Sequence, residues 1–138
     1  LRTVTGVQTC ALPILLAPLK MRFDIIHVAH GLCDEEARAL MNRSKLVLNL
    51  HNDAYPNFEN RVAQALFCSR PVVSETLTGD TLVAGRHYTP ADSPDALCRT
   101  VGGLLSAPEP QPPEIELGRF TIWTLLQRLG ISTDGMNR

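Results

Sequence analysis

Residues 46–75 read LVLNLHNDAYPNFENRVAQALFCSRPVVSE, and the order of textures along this stretch decides the fold. Leu46-Val47-Leu48-Asn49-Leu50 is a near-continuous apolar run of strand length, as expected of a strand covered on both faces in a parallel sheet. His51 to Pro56 is polar and reads as a loop. Asn57 then stands in the position of a helix cap. Behind it Phe58, Val62, Ala65 and Leu66 recur at helical spacing, and Asn57, Arg61 and Gln64 make a polar stripe. Pro71 lacks the N–H that would extend the helix, so Pro71-Val72-Val73-Ser74 opens the next buried strand. The implied architecture is α/β: a Rossmann-like, three-layer parallel sheet flanked by helices.

Such a unit has a chemical use. In open parallel sheets, ligands settle outside the carboxyl ends of the strands, where helix N-termini present unpaired N–H groups and a partial positive charge. That places His51 to Arg61 beside a candidate anion site. The competing reading is an ordinary αβ unit with a solvated loop. Arg61 is the leading phosphate ligand, because a guanidinium grips phosphate oxygens as a fork; its bland alternative is an ion pair with Glu59 or Asp53. Asn49, His51, Asn52 and Asp53 gather at the strand's carboxyl end, and Asn57 adds a further hydrogen-bonding group; a plain surface residue is the alternative for His51. Ser74 and Glu75, followed by Thr76, occupy the next strand end and either line the same site or cap a helix. His27 and His30 are spaced for a metal, yet no third ligand falls at recognisable spacing, so no metal is expected. No G-x-S-x-G, P-loop or G-x-G-x-x-G occurs, which argues against hydrolase, NTPase and nicotinamide-binding readings.

The run Arg61-Val62-Ala63-Gln64-Ala65-Leu66-Phe67-Cys68-Ser69-Arg70-Pro71-Val72 resembles the second domain of glycosyltransferases built from two Rossmann-like domains (the GT-B type, group 1). It is most similar to the spore-maturation (CgeB-like) group. There an apolar strand ends in Asn, and after a loop comes Arg-x-x-Glu-Ala-x-x-x-Gly-x-Pro-Val. The resemblance extends over about Phe23 to Leu105. It implies a domain that binds a nucleotide-sugar donor as substrate, without further cofactor, in a larger protein whose other domain holds the acceptor. On this resemblance Arg61, His51, Asn52, Asn57, Gln64, Ser74 and Glu75 are the donor and diphosphate ligands, Gln64 standing where relatives carry a ribose-binding Glu. Retaining relatives have two acidic residues eight positions apart, and the equivalents here are Pro56 and Gln64; the usual Gly is Ser69. Those departures motivate a second expectation, a non-catalytic Rossmann-like binding or assembly module, and a third, a sugar-nucleotide epimerase of the same architecture.

Outward from this centre the chain is less informative. Val4 to Ile14 resembles the translation of a sequencing-library adapter, with a signal peptide as the alternative, so residues 1–14 are set aside and the chain is read as a fragment. The full chain carries a formal charge of −1, and setting Arg2 aside makes it −2; neither value suits a nucleic-acid partner. No apolar run approaches the roughly 20 residues that span a bilayer, and a cytoplasmic location is expected. Cys33, Cys68 and Cys98 lack C-x-x-C spacing and are expected to be buried free thiols, with disulfide or metal as the alternatives.

Residues 15–106 are expected to form the domain. Leu15 to Arg22 is interrupted by Pro18 and assigned no element. Phe23 to Ala29 reads as a strand, and Asp34-Glu35-Glu36 as the acidic first turn of a helix with Ala37, Leu40 and Met41 inward. A short helix is expected over Thr81 to Ala84 with Gly85 as its C-cap, then an edge strand over Arg86 to Thr89. Ser93-Pro94 is a helix start, with Ala96, Leu97, Val101, Leu104 and Leu105 as its apolar stripe. Residues 107–118 read as a Pro-rich linker and 119–130 as a helix with Phe120, Trp123, Leu126 and Leu129 on one side. That helix either crosses to the other domain or folds back on this one. Residues 131–138 read as a frayed tail.

Overall fold

Short apolar runs alternate with amphipathic stretches, and the chain obeys that alternation. The computed structural model describes residues 3–6, 12–28, 31–51, 59–79 and 81–108. The elements in chain order are β1 (Thr3–Gly6), α1 (Leu12–Lys20), β2 (Ile25–Val28), α2 (Asp34–Asn42), β3 (Val47–Asn49), α3 (Asn60–Phe67), β4 (Val72–Ser74), β5 (Thr89–Pro90) and α4 (Pro94–Ser106). All strands pair in parallel, in the order β2-β1-β3-β4-β5. The chain runs outward from β1 to β2 and then returns past it to β3, so the direction of winding reverses between β1 and β3. The fold is therefore the expected Rossmann-like α/β sheet flanked by helices. The segment set aside in the sequence reading contributes β1, between β2 and β3.

Each face of the sheet has its own core. On one side Leu46, Leu48 and Leu50 of the β3 segment and Val73 of β4 pack with Leu16 and Leu19 of α1 and Leu97, Cys98 and Val101 of α4. On the other, Val47 and Val72 pack with Met41 of α2, Val62, Ala65 and Leu66 of α3, and Leu77, Leu82 and Tyr88. Burial on both faces explains why LVLNL lacks the polar alternation of a half-exposed strand. Each fully buried Leu or Val stabilises the fold by about 1.5–3 kcal/mol relative to an exposed one.

Helix ends repay inspection. Ser93 caps α4 by accepting a hydrogen bond from the Ala96 N–H at 3.2 Å, and Pro94 takes the first turn, as its sequence predicts. Cys33 precedes α2, where its backbone N–H donates to Glu36 Oε2 at 3.1 Å. α3 closes in a Schellman motif: the Arg70 N–H donates to Ala65 O at 2.9 Å and the Ser69 N–H to Leu66 O at 2.8 Å, with Ser69 left-handed at φ 53°. Glycine is favoured at that position because a Cβ strains the left-handed backbone, which accounts physically for the Gly of the motif that Ser69 replaces.

Several expectations are corrected. α3 begins at Asn60 with Glu59 in the cap position, two residues beyond the expected Asn57 cap. Residues 81–84 form no helix. Gly85, at φ 80°, instead sits in a tight turn closed by its own N–H to Tyr88 O (2.8 Å) and by the His87 N–H to Val83 O (2.9 Å). The edge strand is correspondingly Thr89–Pro90, which overlaps the expected Arg86 to Thr89 only at Thr89. Cys33 is exposed; Cys68 is half-buried and Cys98 buried, all three as free thiols. The segment containing Pro18 is helical after all: the proline forfeits one intrahelical bond, and burial of Leu16 and Leu19 in the core offsets that loss. The linker beyond residue 108, the 119–130 helix and the tail lie outside the described residues. Among the described residues no helix is long and apolar enough to cross a membrane.

Candidate functional site

The side-chain period of a strand is two, so Asn49 shares the face of Val47 and Ser74 that of Val72, both toward α3. Register sets Asn49 directly beside Ser74 at the carboxyl ends of β3 and β4, and both are fully buried. The Asn49 Nδ2 donates to Ser74 Oγ at 2.9 Å. Its Oδ1 accepts from Arg61 Nε at 2.6 Å, and Arg61 Nη2 donates to Leu50 O at 3.4 Å. Arg61 lies in the first turn of α3, which brings its guanidinium over these strand ends.

His51 follows immediately. Its backbone N–H donates to Glu75 Oε2 at 2.6 Å, and Nδ1 lies 3.2 Å from the same oxygen. A carboxylate only accepts, so Nδ1 carries the ring proton and Nε2 is left to accept, 3.5 Å from Asn49 Nδ2. The imidazole is buried; Glu75 is about one-fifth exposed. The stretch after β4 that presents Glu75 is itself braced. Thr76 donates through N–H and Oγ1 to the two carboxylate oxygens of Asp92, at 2.6 and 2.7 Å, and the Leu77 N–H donates to the buried Tyr88 hydroxyl at 3.0 Å.

The electrostatics centre on Arg61. Burial lowers its pKa and the nearby Glu59 carboxylate, 3.3 Å from Nη2, opposes that shift. Glu59 is 44% exposed, so water screens the pair and leaves its attraction modest. The acceptors that hold Arg61 from within, an amide and a peptide carbonyl, are neutral. A guanidinium does not deprotonate in a protein, so the site holds a partly desolvated cation only partly compensated by carboxylate.

Of the residues expected from sequence, Arg61, His51, Ser74 and Glu75 converge through Asn49. Gln64 lies on the next turn of α3, half-buried, and its side chain makes no hydrogen bond among the described residues. Asn52 and Asn57 lie outside the described residues, as does Asp53. The Glu59 ion pair foreseen as the bland role for Arg61 does form, alongside the strand-end contacts. Helix capping by Ser74, Glu75 or Thr76 does not occur, since the next helix is α4. Sequence reasoning placed Asn49 with the polar residues at the strand end but did not single it out as their hub. The available signal was the one polar residue inside LVLNL. It also missed Asp92, to which no role was assigned. Among the described residues no group of three His, Cys, Asp or Glu stands ready for a metal.

A family model described as "Glycosyl transferase-like" matches residues 14–113, which run from within α1 to beyond α4 and include every site residue named above. No curated protein and no solved structure matches the chain.

Proposed function

Because this chain belongs to the glycosyl transferase-like family, we propose that it is the donor-binding half of a nucleotide-sugar-dependent transferase and that Arg61 holds the donor diphosphate. The observation that carries this reading is the Arg61 guanidinium, half-buried at the carboxyl ends of β3 and β4 and pinned there by neutral acceptors. As the bond between the sugar's anomeric carbon and the diphosphate breaks, negative charge gathers on the leaving phosphate. A cation already fixed there stabilises that charge without reorganising. Ser74 and His51, buried at the ends of β4 and β3, hold Asn49 beneath that guanidinium. In this reading Gln64, on the same helix, meets the ribose; an amide there contributes about 0.5–1.5 kcal/mol against 1.5–3 for a carboxylate. No metal enters this reading. The acceptor and its base belong to another domain.

Titration of UDP, GDP, ADP and dTDP sugars into the chain tests the proposal. Saturable binding that Arg61→Ala weakens at least tenfold is expected, and a folded chain that responds to none of the four sinks the donor reading. The amide at position 64 favours one other outcome, a module that binds a nucleotide without transferring sugar. Binding in the full-length protein without any sugar transfer, to water or to an added acceptor, identifies that module.

A further inference from the structure

We propose that Asn49 is a positioning residue: its carboxamide aims the Arg61 guanidinium at the diphosphate while leaving the cation's charge for the ligand. This deepens the donor-site reading and rests on it. Leu46, Val47, Leu48 and Leu50 fill the two cores, and Asn49, fully buried among them, is the one polar side chain of the run. A buried amide is tolerable only when its donors and acceptor are met, and here each is met by a group of the candidate site.

The amide has one workable orientation. Arg61 Nε can only donate, so Oδ1 must face it, and Nδ2 therefore faces the Ser74 hydroxyl and the His51 ring. The His51 tautomer that welcomes Nδ2 is the one Glu75 imposes by taking the Nδ1 proton's hydrogen bond. A relay thus runs from Glu75 through His51 and Asn49 to Arg61. At its end Nε and Nη2 are tied to Asn49 Oδ1 and Leu50 O, which fixes the plane of the guanidinium; Nη1 has no partner among the described residues. An Asp at position 49 would keep the acceptor at 2.6 Å but set a buried negative charge against the cation, competing with any phosphate.

The test combines binding with a signal that needs no ligand. In the wild-type chain the Arg61 Nε–H should give a slowly exchanging resonance by nitrogen-detected NMR. Asn49→Leu should move it to the position and exchange rate of a free arginine, whereas Asn49→Asp should keep it slow. For whichever of UDP, GDP, ADP and dTDP binds, affinity should fall at least tenfold in Asn49→Asp and at least fivefold in Asn49→Leu. Adding Asn49→Leu to Arg61→Ala should cause no loss beyond that of Arg61→Ala alone, because Asn49 acts through Arg61. Losses that multiply in that double variant, or wild-type affinity in Asn49→Asp, overturn the proposal. If Asn49→Leu does not fold, Ser74→Ala, which removes only the Nδ2 acceptor, should accelerate the same exchange. If no nucleotide binds, the donor reading fails by itself, and an Nε–H that exchanges as fast in wild type as in Ser74→Ala overturns the anchoring as well.

Discussion

The two faces of β3 differ over a span of five residues. Toward α1 and α4 the strand segment presents Leu46, Leu48 and Leu50, apolar to the end; toward α2 and α3 it presents Val47 and then Asn49. The first face is closed by apolar side chains. The second is hydrophobic at its amino end and polar at its carboxyl end, where Ser74, His51, Glu75 and Arg61 gather around one amide. The lesson is a division of labour: one side of the sheet holds the fold together, and the other surrenders apolar area at its tip to hold a cation in place.

Breaking either side should give different losses. Leu48→Ala leaves a cavity beneath α1 and α4 and should destabilise the chain by about 2–5 kcal/mol, read from denaturant unfolding. If the folded fraction keeps its nucleotide affinity, the division stands; if affinity falls in proportion, it does not. Arg61→Ala should show the complementary pattern, a binding loss of about 1.4 kcal/mol or more, the tenfold expected above.

Smaller changes sharpen the contrast, because each side carries residues ill suited to their backbone. On the α3 side Ser69 occupies a left-handed position, and Ser69→Gly should raise stability by about 0.5–1 kcal/mol. On the α4 side Gly103 stands in a helix with open space where a Cβ would go, and Gly103→Ala should raise it by about 0.8–1 kcal/mol. Gly102 is the control: there a Cβ would touch the ring of Phe23 at 3.6 Å, an ordinary contact, and the gain then depends on how well the two pack. Combined, the distant Ser69 and Gly103 substitutions should add, as a rise in melting temperature checks.

The smallest effect concerns α2. Hydrogen bonds from Cys33, the backbone N–H first, lower the pKa of the exposed Glu36 below its ordinary 4.5. A carboxyl depressed on folding stabilises above its unfolded pKa, and that contribution is lost as pH falls through the lowered value. The melting temperatures of wild type and Glu36→Ala should therefore differ slightly at pH 7 and converge below the ordinary carboxylate range.

Legibility followed range. The helix over 94–106 was readable because its cap, its proline and its stripe are neighbours in sequence. α2 was readable from its acidic first turn, and β3 and β4 from apolar runs too short for helices. The start of α3 was misplaced because both Asn57 and Glu59 precede plausible helical residues, and only the backbone at Glu59 chooses between them. Residues 81–88 were misread because a glycine at positive φ serves a tight turn as well as a helix end. At the site, Arg61, His51, Ser74 and Glu75 were picked by residue type and by place at the strand ends. Their meeting through Asn49 was not, since the amide's partners Arg61 and Ser74 lie 12 and 25 residues further along the chain.

Sequence alone determined that this is a parallel α/β sheet with polar residues at the carboxyl ends of its central strands. Burial patterns and helix caps are local, and each is written within a dozen neighbouring residues. Tertiary structure decided which of those polar residues share a face. That depends on the β3–β4 register, which sets Asn49 beside Ser74, and on where α3 begins, which sets Arg61 above them. A slip of one residue in either would turn the amide or the guanidinium away, because strand side chains alternate faces and each helical residue rotates the next by about 100°.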